Sequence, residues 1–529
     1  MNAIQTPIDP ATAKDRVIVR NPATGETVGT VPCFGSEEIS AAVAKARAAQ
    51  SRWAQTSIAE RMKIVRRFTQ LVCDEKDAIA AVITREAGKP LAEAISTEIL
   101  VVLDAAQFLL SHVPEFLRPE PVPHANPVMK LKRGLLCREP YGVIGIISPW
   151  NYPFSLPSVQ ALTALITGNA VVLKPSEFTP FCSLELERLL RAAGLDPDLL
   201  QVVTGEGAAG AALLQSSIDK LIFTGSVATG KRVAQAAAAR LLPVVLELGG
   251  KDPMLVLEDA DVDVASSAAV WGAFMNAGQT CLSVERCYVH QAIYDDFLKA
   301  CVAKTVKLRV GPGTDPATDV GPMIHERQLR IVQSHVDDAI ARGALLLAGG
   351  KPVAQLGANF FAPTVLAGVD HSMAIMREET FGPVLPVRSF KTEEEAVALA
   401  NDSEFGLAAS IFTRNRKRGE AVARRLNAGT IMVNDLISCF GISEAPHGGV
   451  KASGIGRTHG HFGLEEMVWP KYLDSDGMPR MKKLWWYGYG PAFLRQMNEF
   501  IDLLFSKDLT KRIRAGLGSA RSYLQRKPF

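Results

Sequence analysis

The chain is poor in the features that mark secreted, disulfide-stapled or membrane-spanning proteins. Its eight cysteines, at positions 33, 73, 137, 182, 281, 287, 301 and 439, include no Cys-x-x-Cys pair. They are too sparse for a disulfide framework, which fits a reducing compartment and a cytoplasmic location. No metal site is expected. The first residues, MNAIQTPIDPATAKDRV, contain no apolar core of signal-peptide length. No run of 18 apolar residues occurs, so no spanning helix is expected. There is no internal repeat and no long low-complexity segment. Net charge is also nearly absent, at +3, and gives no reason to expect a nucleic-acid partner.

The small net charge hides an uneven distribution. From Met481 to Phe529 there are ten Lys/Arg and three Asp/Glu, a net +7, so the preceding 480 residues carry −4. The 529 residues, 47% apolar and 21% charged, exceed what one ordinary core supports and predict at least two domains. Residues 20–32 read as a hairpin around Pro-Ala-Thr-Gly. Amphipathic helices are predicted from a Ser36 cap to about 53, over 57–87 and over 90–112. Residues 119–129 read as a Pro-rich linker, and 128–142 as a strand pair. From Gly142 short apolar runs (GVIGIIS, AVVLKPS, LLQVVTG, KLIFTGS, PVVLELG) alternate with helical stretches. This predicts a parallel sheet with ligands at its strand C-termini. A second alternating half follows Cys281.

One stretch organises the rest. PVVLELGGKDPML (243–255) ends a strand at Glu247 and a Gly pair; NAGQTC (276–281) follows a small-residue helix and delivers a thiol. A thiolate can attack a carbonyl carbon, and a carboxylate can then activate water to release the product. Each residue taken alone has a plainer reading, as an inert thiol and as a strand-end ion-pair partner. Burial between VVL and LGG would raise the Glu247 pKa into a useful range.

The two segments resemble those of the aldehyde dehydrogenase superfamily. The resemblance continues in the family's order through PWNYP (149–153), KPSE (174–177), FTGSVATG (223–230), EETFGP (378–383), FGLAASIFT (405–413) and PHGGVKASGIG (446–456). It covers roughly residues 18–474. It implies an α/β fold with a Rossmann-type NAD-binding domain (1–121 and 142–248), an α/β catalytic domain (249–464) and a small β-hairpin oligomerisation element (122–141 with 465–474). It also implies NAD(P)-dependent oxidation of an aldehyde to a carboxylic acid through a Cys281 thiohemiacetal and thioester. Glu247 would be the hydrolytic base and Asn151 the oxyanion donor. Lys174 and Glu177 would grip the adenosine ribose, with Glu177 favouring NAD over NADP. Glu379 and Phe381 would hold the nicotinamide ribose and border the ring. Trp150 would line the cofactor channel, Gly225, Ser226 and Gly230 would receive the pyrophosphate at a helix N-terminus, and Gly207 would admit the adenine. Ile147, Phe223 and Leu248 would complete the cofactor contacts. Many relatives have Phe where this chain has His447, a change that admits a polar aldehyde or leaves a ring packed in the Phe position. A homodimer or homotetramer is implied.

Beyond the family's usual end lies a 475–529 extension with apolar residues at helical spacing (Phe493, Leu494, Met497, Phe500, Ile501, Leu504, then Leu509, Ile513, Leu517, Leu524) beside Lys511, Arg512 and Arg514. Such a segment suits a membrane interface, the protein body or a second subunit. Transfer of the acyl group to coenzyme A or phosphate is the enzymatic alternative. A non-catalytic, tail-tethered binding protein is the other.

Overall fold

The computed structural model describes residues 16–126, 129–483 and 485–525; the side chains of residues 520 and 522–525 lie outside that description. The lead-in before Arg16 and Leu524 of the apolar row therefore fall outside it. Strands β1 (Arg16–Arg20) and β2 (Thr27–Pro32) form the expected hairpin. The helix Ser36–Trp53 follows, but Gly35 rather than Ser36 holds the cap, its N–H donating to Glu38 Oε2 at 2.7 Å. The stretch read as one helix over 57–87 breaks at Glu75 into Ile58–Asp74 and Lys76–Ala87. The next helical run spans Leu91–Phe116 with a π-helical stretch at Ala94–Ile99. It is long and apolar enough to cross a membrane by length and composition, and half of its most apolar window is buried in the protein. Val102, Ala106, Leu109 and Val113 enter the core.

Strands β3 (Glu120–Val122) and β4 (Lys132–Pro140) pair antiparallel. The strand pair read over 128–142 is thus a single long strand whose partners come from elsewhere in the chain. Strands β5 (Val143–Ile147), β6 (Ala170–Lys174), β7 (Leu200–Val202), β8 (Lys220–Thr224) and β9 (Val244–Glu247) are parallel, as their Val/Ile-rich runs predict. Strands β10 (Pro253–Val256), β11 (Arg286–His290), β12 (Leu345–Ala348), β13 (Thr364–Ala367), β14 (Val384–Phe390), β15 (Ala408–Phe412) and β16 (Thr430–Val433) build a second sheet. The short β17 (Gly454–Ile455) crosses back, and β18 (Val468–Asp476) ends the series.

The first sheet has the order β17-β9-β8-β5-β6-β7 and the second β12-β13-β14-β11-β10-β15-β16. Two cores correspond to them, one centred on β5, β6 and β8, the other on β10, β11 and β14. The chain leaves the first sheet at Glu247 and enters the second at Pro253, so the LGGKD segment bridges the sheets. β17 returns from the second half to pair antiparallel with β9, setting Gly454 opposite Glu247. Both sheets lie in one compact unit, whose described residues are 16–118 and 138–470.

The second compact unit is residues 119–137 with 471–529. It contains β3, most of β4 and β18 from the arrangement β18-β4-β3, and the helices Pro491–Phe505 and Leu509–Gln525. Ala515 is buried, and a side-chain carbon on Gly518 would press on the Glu499 carboxylate. Small residues thus let the two helices approach. Leu494, Ile501 and Phe505 recur at seven- and four-residue intervals and are exposed on the first helix. Leu509, Ile513 and Leu517, each four residues apart, are exposed on the second.

Candidate active site

Cys281 is placed by a backbone that few sequences could adopt. Asn276 and Ala277 both have left-handed φ, 54° and 55°, and Gly278 follows at +72°. A side-chain carbon on Gly278 would overlap the Gly382 carbonyl, so the residue must be Gly. This turn is tied down on all sides. The Asn276 N–H donates to Glu93 Oε2 at 3.0 Å, Asn276 Nδ2 donates to the Asn151 carbonyl at 3.0 Å, and the Ile324 N–H donates to Gln279 Oε1 at 2.8 Å. Asn151 Nδ2 donates to the Gln279 carbonyl at 3.0 Å, which seats its amide beside the cysteine turn and leaves a second N–H on that nitrogen.

Two cavities meet at Cys281. The first, of about 250 Å³, is lined by Trp150, Asn151, Gly225, Ser226, Glu247, Leu248, Cys281, Glu379, Phe381 and His447, among others. The second, of about 290 Å³, is lined by Val101, Tyr152, Leu156, Trp271, Met275, Ile437, Phe440 and their neighbours. Its surface is almost wholly apolar, and none of its lining residues is charged.

Glu247 lies at the end of β9, buried, with neither carboxylate oxygen hydrogen-bonded. Burial pushes its pKa well above the usual carboxylate range. Arg457 and then the Thr458 hydroxyl oppose that shift, and Glu466 adds to it. The Cys281 thiol is also pushed well up, first by burial and then by the carboxylates of Asp252, Glu379 and Glu247. The resting thiol is therefore protonated, and positive charge brought beside it favours the thiolate.

The first cavity has the shape and chemistry a dinucleotide's nicotinamide end requires. Ser226 caps helix Val227–Ala238 at the end of β8, so a helix N-terminus faces its rim. A side-chain carbon on Gly230 would press on the Leu248 side chain, so Gly lets Leu248 pack close to this helix. Phe381, with φ 51°, meets Trp150 edge-on at 5.5 Å between centroids. Glu379 is half-buried, its pKa raised to about 8 mainly by desolvation, and accepts the Gly250 N–H at 3.0 Å. Lys174 ends β6, pairs with Glu177 at 3.6 Å, and lies with Ile147, Gly207, Phe223 and Gly230 outside the cavity lining. Ile147 ends β5 beside Lys174, Phe223 lies buried in β8, and Gly207 opens the helix Gly207–Gln215. Those residues mark the strand ends along which the rest of a dinucleotide would run.

Sequence reasoning missed the buried polar frame. Lys251 Nζ meets Glu285 Oε2 at 2.5 Å, and Glu285 also accepts the N–H groups of Thr380 (3.1 Å) and Phe381 (2.9 Å). Lys89 Nζ meets Glu98 Oε1 at 2.7 Å, and Glu98 Oε2 takes the N–H groups of Phe154 and Ser155. A lysine set between apolar strands, as Lys251 is in GGKDPMLV, must find an acid when buried. That was the available signal. The π-helical stretch Ala94–Ile99 brings Ser96 and Thr97 to the apolar cavity and Glu98 to its clamp; no periodicity announces it.

Comparisons with known proteins agree with this geometry. The aldehyde dehydrogenase family model matches residues 9–473. A putative NADP-dependent succinate-semialdehyde dehydrogenase of Mycolicibacterium smegmatis is 41% identical over 442 residues, 83% of this chain and 85% of that one. A 4,4'-diapolycopene aldehyde oxidase of a Methylomonas species is 41% identical over 488 residues, 92% and 91% of the two chains. The structure of a Mycobacterium tuberculosis aldehyde dehydrogenase complexed with NAD+ superposes with a TM-score of 0.83 at 35% identity, covering 87% of this chain and 95% of that one. The chain belongs to the aldehyde dehydrogenase family. It is an oxidoreductase that oxidises an aldehyde with NAD(P), and the acyl-transferring and non-catalytic alternatives are not favoured.

Proposed function

We propose that the protein oxidises apolar aldehydes to carboxylates, with Cys281 as nucleophile, Glu247 as the base for hydrolysis and Asn151 as an oxyanion donor. The observation that carries this reading is the position of Cys281 between an apolar cavity and a more polar one that contains Glu247. The substrate chain would fill the apolar side and bring its carbonyl carbon to Sγ. Attack gives a thiohemiacetal whose oxygen is stabilised by an Asn151 N–H. When bound, NAD(P) supplies a positive nicotinamide beside the thiol and accepts the hydride. The resulting Cys281 thioester is opened by a water that gives its proton to Glu247, and the carboxylate leaves.

The chamber argues against a dianionic or monoanionic aldehyde. A substrate carboxylate there would lose its hydration and find no cation among the lining residues. Each methylene buried in the chamber is worth about 0.8 kcal/mol, or roughly fourfold in kcat/KM. A panel from butanal to decanal, with succinate semialdehyde alongside, tests this. The rate constant is expected to climb with chain length until the chamber fills. Preference for succinate semialdehyde would refute it.

NAD is the proposed cofactor of choice, supported by the Glu177 carboxylate at the end of the β6 segment, which would repel a 2′-phosphate. The residues Ile147, Trp150, Lys174, Glu177, Gly207, Phe223, Gly225, Ser226, Gly230, Leu248, Glu379 and Phe381 are proposed to bind it. A homodimer or homotetramer is proposed from the largely exposed β18, which stands at the end of the β18-β4-β3 arrangement where a second copy could add to it. A cytoplasmic site is supported by eight unpaired cysteines. Peripheral contact with an anionic membrane is proposed for residues 481–529, from the exposed apolar rows of the two helices, the net +7 of that segment and the exposed Trp485, Trp486, Tyr487 and Tyr489.

A further inference from the structure

Neither oxygen of the buried Glu247 carboxylate is hydrogen-bonded; the Thr458 hydroxyl draws its pKa down, and His447 lies beside it with Nε2 3.7 Å from Glu247 Oε2. Arg457, the neighbouring cation, is committed elsewhere, its Nη1 donating to the carbonyls of Gly449 (2.8 Å) and Gly456 (2.7 Å). The imidazole is held firmly. Its backbone exchanges two hydrogen bonds with Thr458, at 2.7 and 2.8 Å, and its ring packs at 90° on Phe440, 5.1 Å between centroids, and against His459 at 5.8 Å. Nδ1 has no partner, so nothing competes for the ring proton at Nε2, the nitrogen that faces the carboxylate.

We propose that His447 is a positioning residue for thioester hydrolysis: as a neutral imidazole it lends its Nε2–H to Glu247 and holds the carboxylate in the orientation that takes a proton from water. The proposal rests on Glu247 being the hydrolytic base. The groups that face this pair are Arg457, His459, Glu466 and Cys281, with Asp104 behind His459. Burial, His459 and Arg457 together press the His447 pKa down to about 3, so the ring is neutral wherever the enzyme works. A neutral donor steadies the carboxylate without the ion pair that would drag the base far down in pKa.

The test uses the full chain with NAD and an apolar aldehyde, comparing His447→Phe and His447→Gln with the wild type. Three quantities are read: the first-turnover NADH burst, steady-state kcat against pH, and the acyl adduct on Cys281 by mass spectrometry of the quenched enzyme. The Phe variant should keep the burst, lose roughly tenfold in kcat, accumulate the acyl adduct and show its acid limb at higher pH. The Gln variant retains a donor and should recover most of kcat and the original limb. The proposal is overturned if the Phe variant keeps both kcat and acid limb, if it loses the burst along with kcat, or if Gln behaves as Phe does. Failure of the underlying role reads differently: Glu247→Gln would then hydrolyse its thioester at the wild-type rate.

Discussion

Lys251 Nζ and Glu285 Oε2 stand 2.5 Å apart with both side chains withdrawn from water, and the same glutamate carries the N–H groups of Thr380 and Phe381. The pair therefore joins the strand that begins the second sheet to the segment that presents Glu379 and Phe381. Removing one partner leaves a buried charge, which costs about 3–5 kcal/mol. Lys251→Met and Glu285→Gln should each lower the unfolding midpoint markedly. Of the two, Glu285→Gln should also raise KM for NAD by freeing the Phe381 backbone. Thermal melts and cofactor titrations of the surviving folded protein check both.

Glu93 supplies a pH signature of the site's frame. Burial raises it to about 7, although it accepts the Asn276 N–H and lies near Lys89. A carboxyl whose folded pKa exceeds its unfolded value binds more protons in the native state between the two. Its contribution is fully present below the unfolded value, near 4.5, and is lost as pH rises through about 7. Melting temperatures of Glu93→Gln and the wild type should therefore differ in slope between about pH 5 and pH 7.5, with the variant flatter. Parallel curves would contradict the raised Glu93 pKa.

The tail makes a separate prediction. Exposed Ile501, Phe505, Leu509, Ile513 and Leu517 together with the basic side chains should bind anionic vesicles. The full chain should cosediment with phosphatidylglycerol-containing vesicles, less so at high salt, and far less after removal of residues 481–529. Equal cosedimentation by the truncated chain would end that proposal.

Much of the site was legible in the sequence because local rules place it. Glu247 ends a Val/Leu strand at two glycines, Ser226 opens a helix directly after β8, and Gly278 permits the turn into Cys281. The apolar chamber draws on Val101, Leu156, Thr280–Leu282, Ile437, Ser438, Phe440 and Gly441, residues far apart in the sequence. What was not legible depends on contacts distant in sequence. The clamp of Lys89 on Glu98 and the turn of Trp271 into the chamber follow from packing between elements, and the π-helical stretch leaves no periodic trace. The strand over 132–140 was misread as a pair because its partners, β3 and β18, are not its sequence neighbours on both sides.

The central claim is that one carboxylate separates oxidation from release. Rapid mixing of Glu247→Gln with NAD and an apolar aldehyde tests it. The account predicts one equivalent of NADH per site, an acyl group retained on Cys281 and steady-state turnover lower by several hundredfold or more, on the order of 10²–10⁴. Sustained turnover with no trapped acyl group would contradict it.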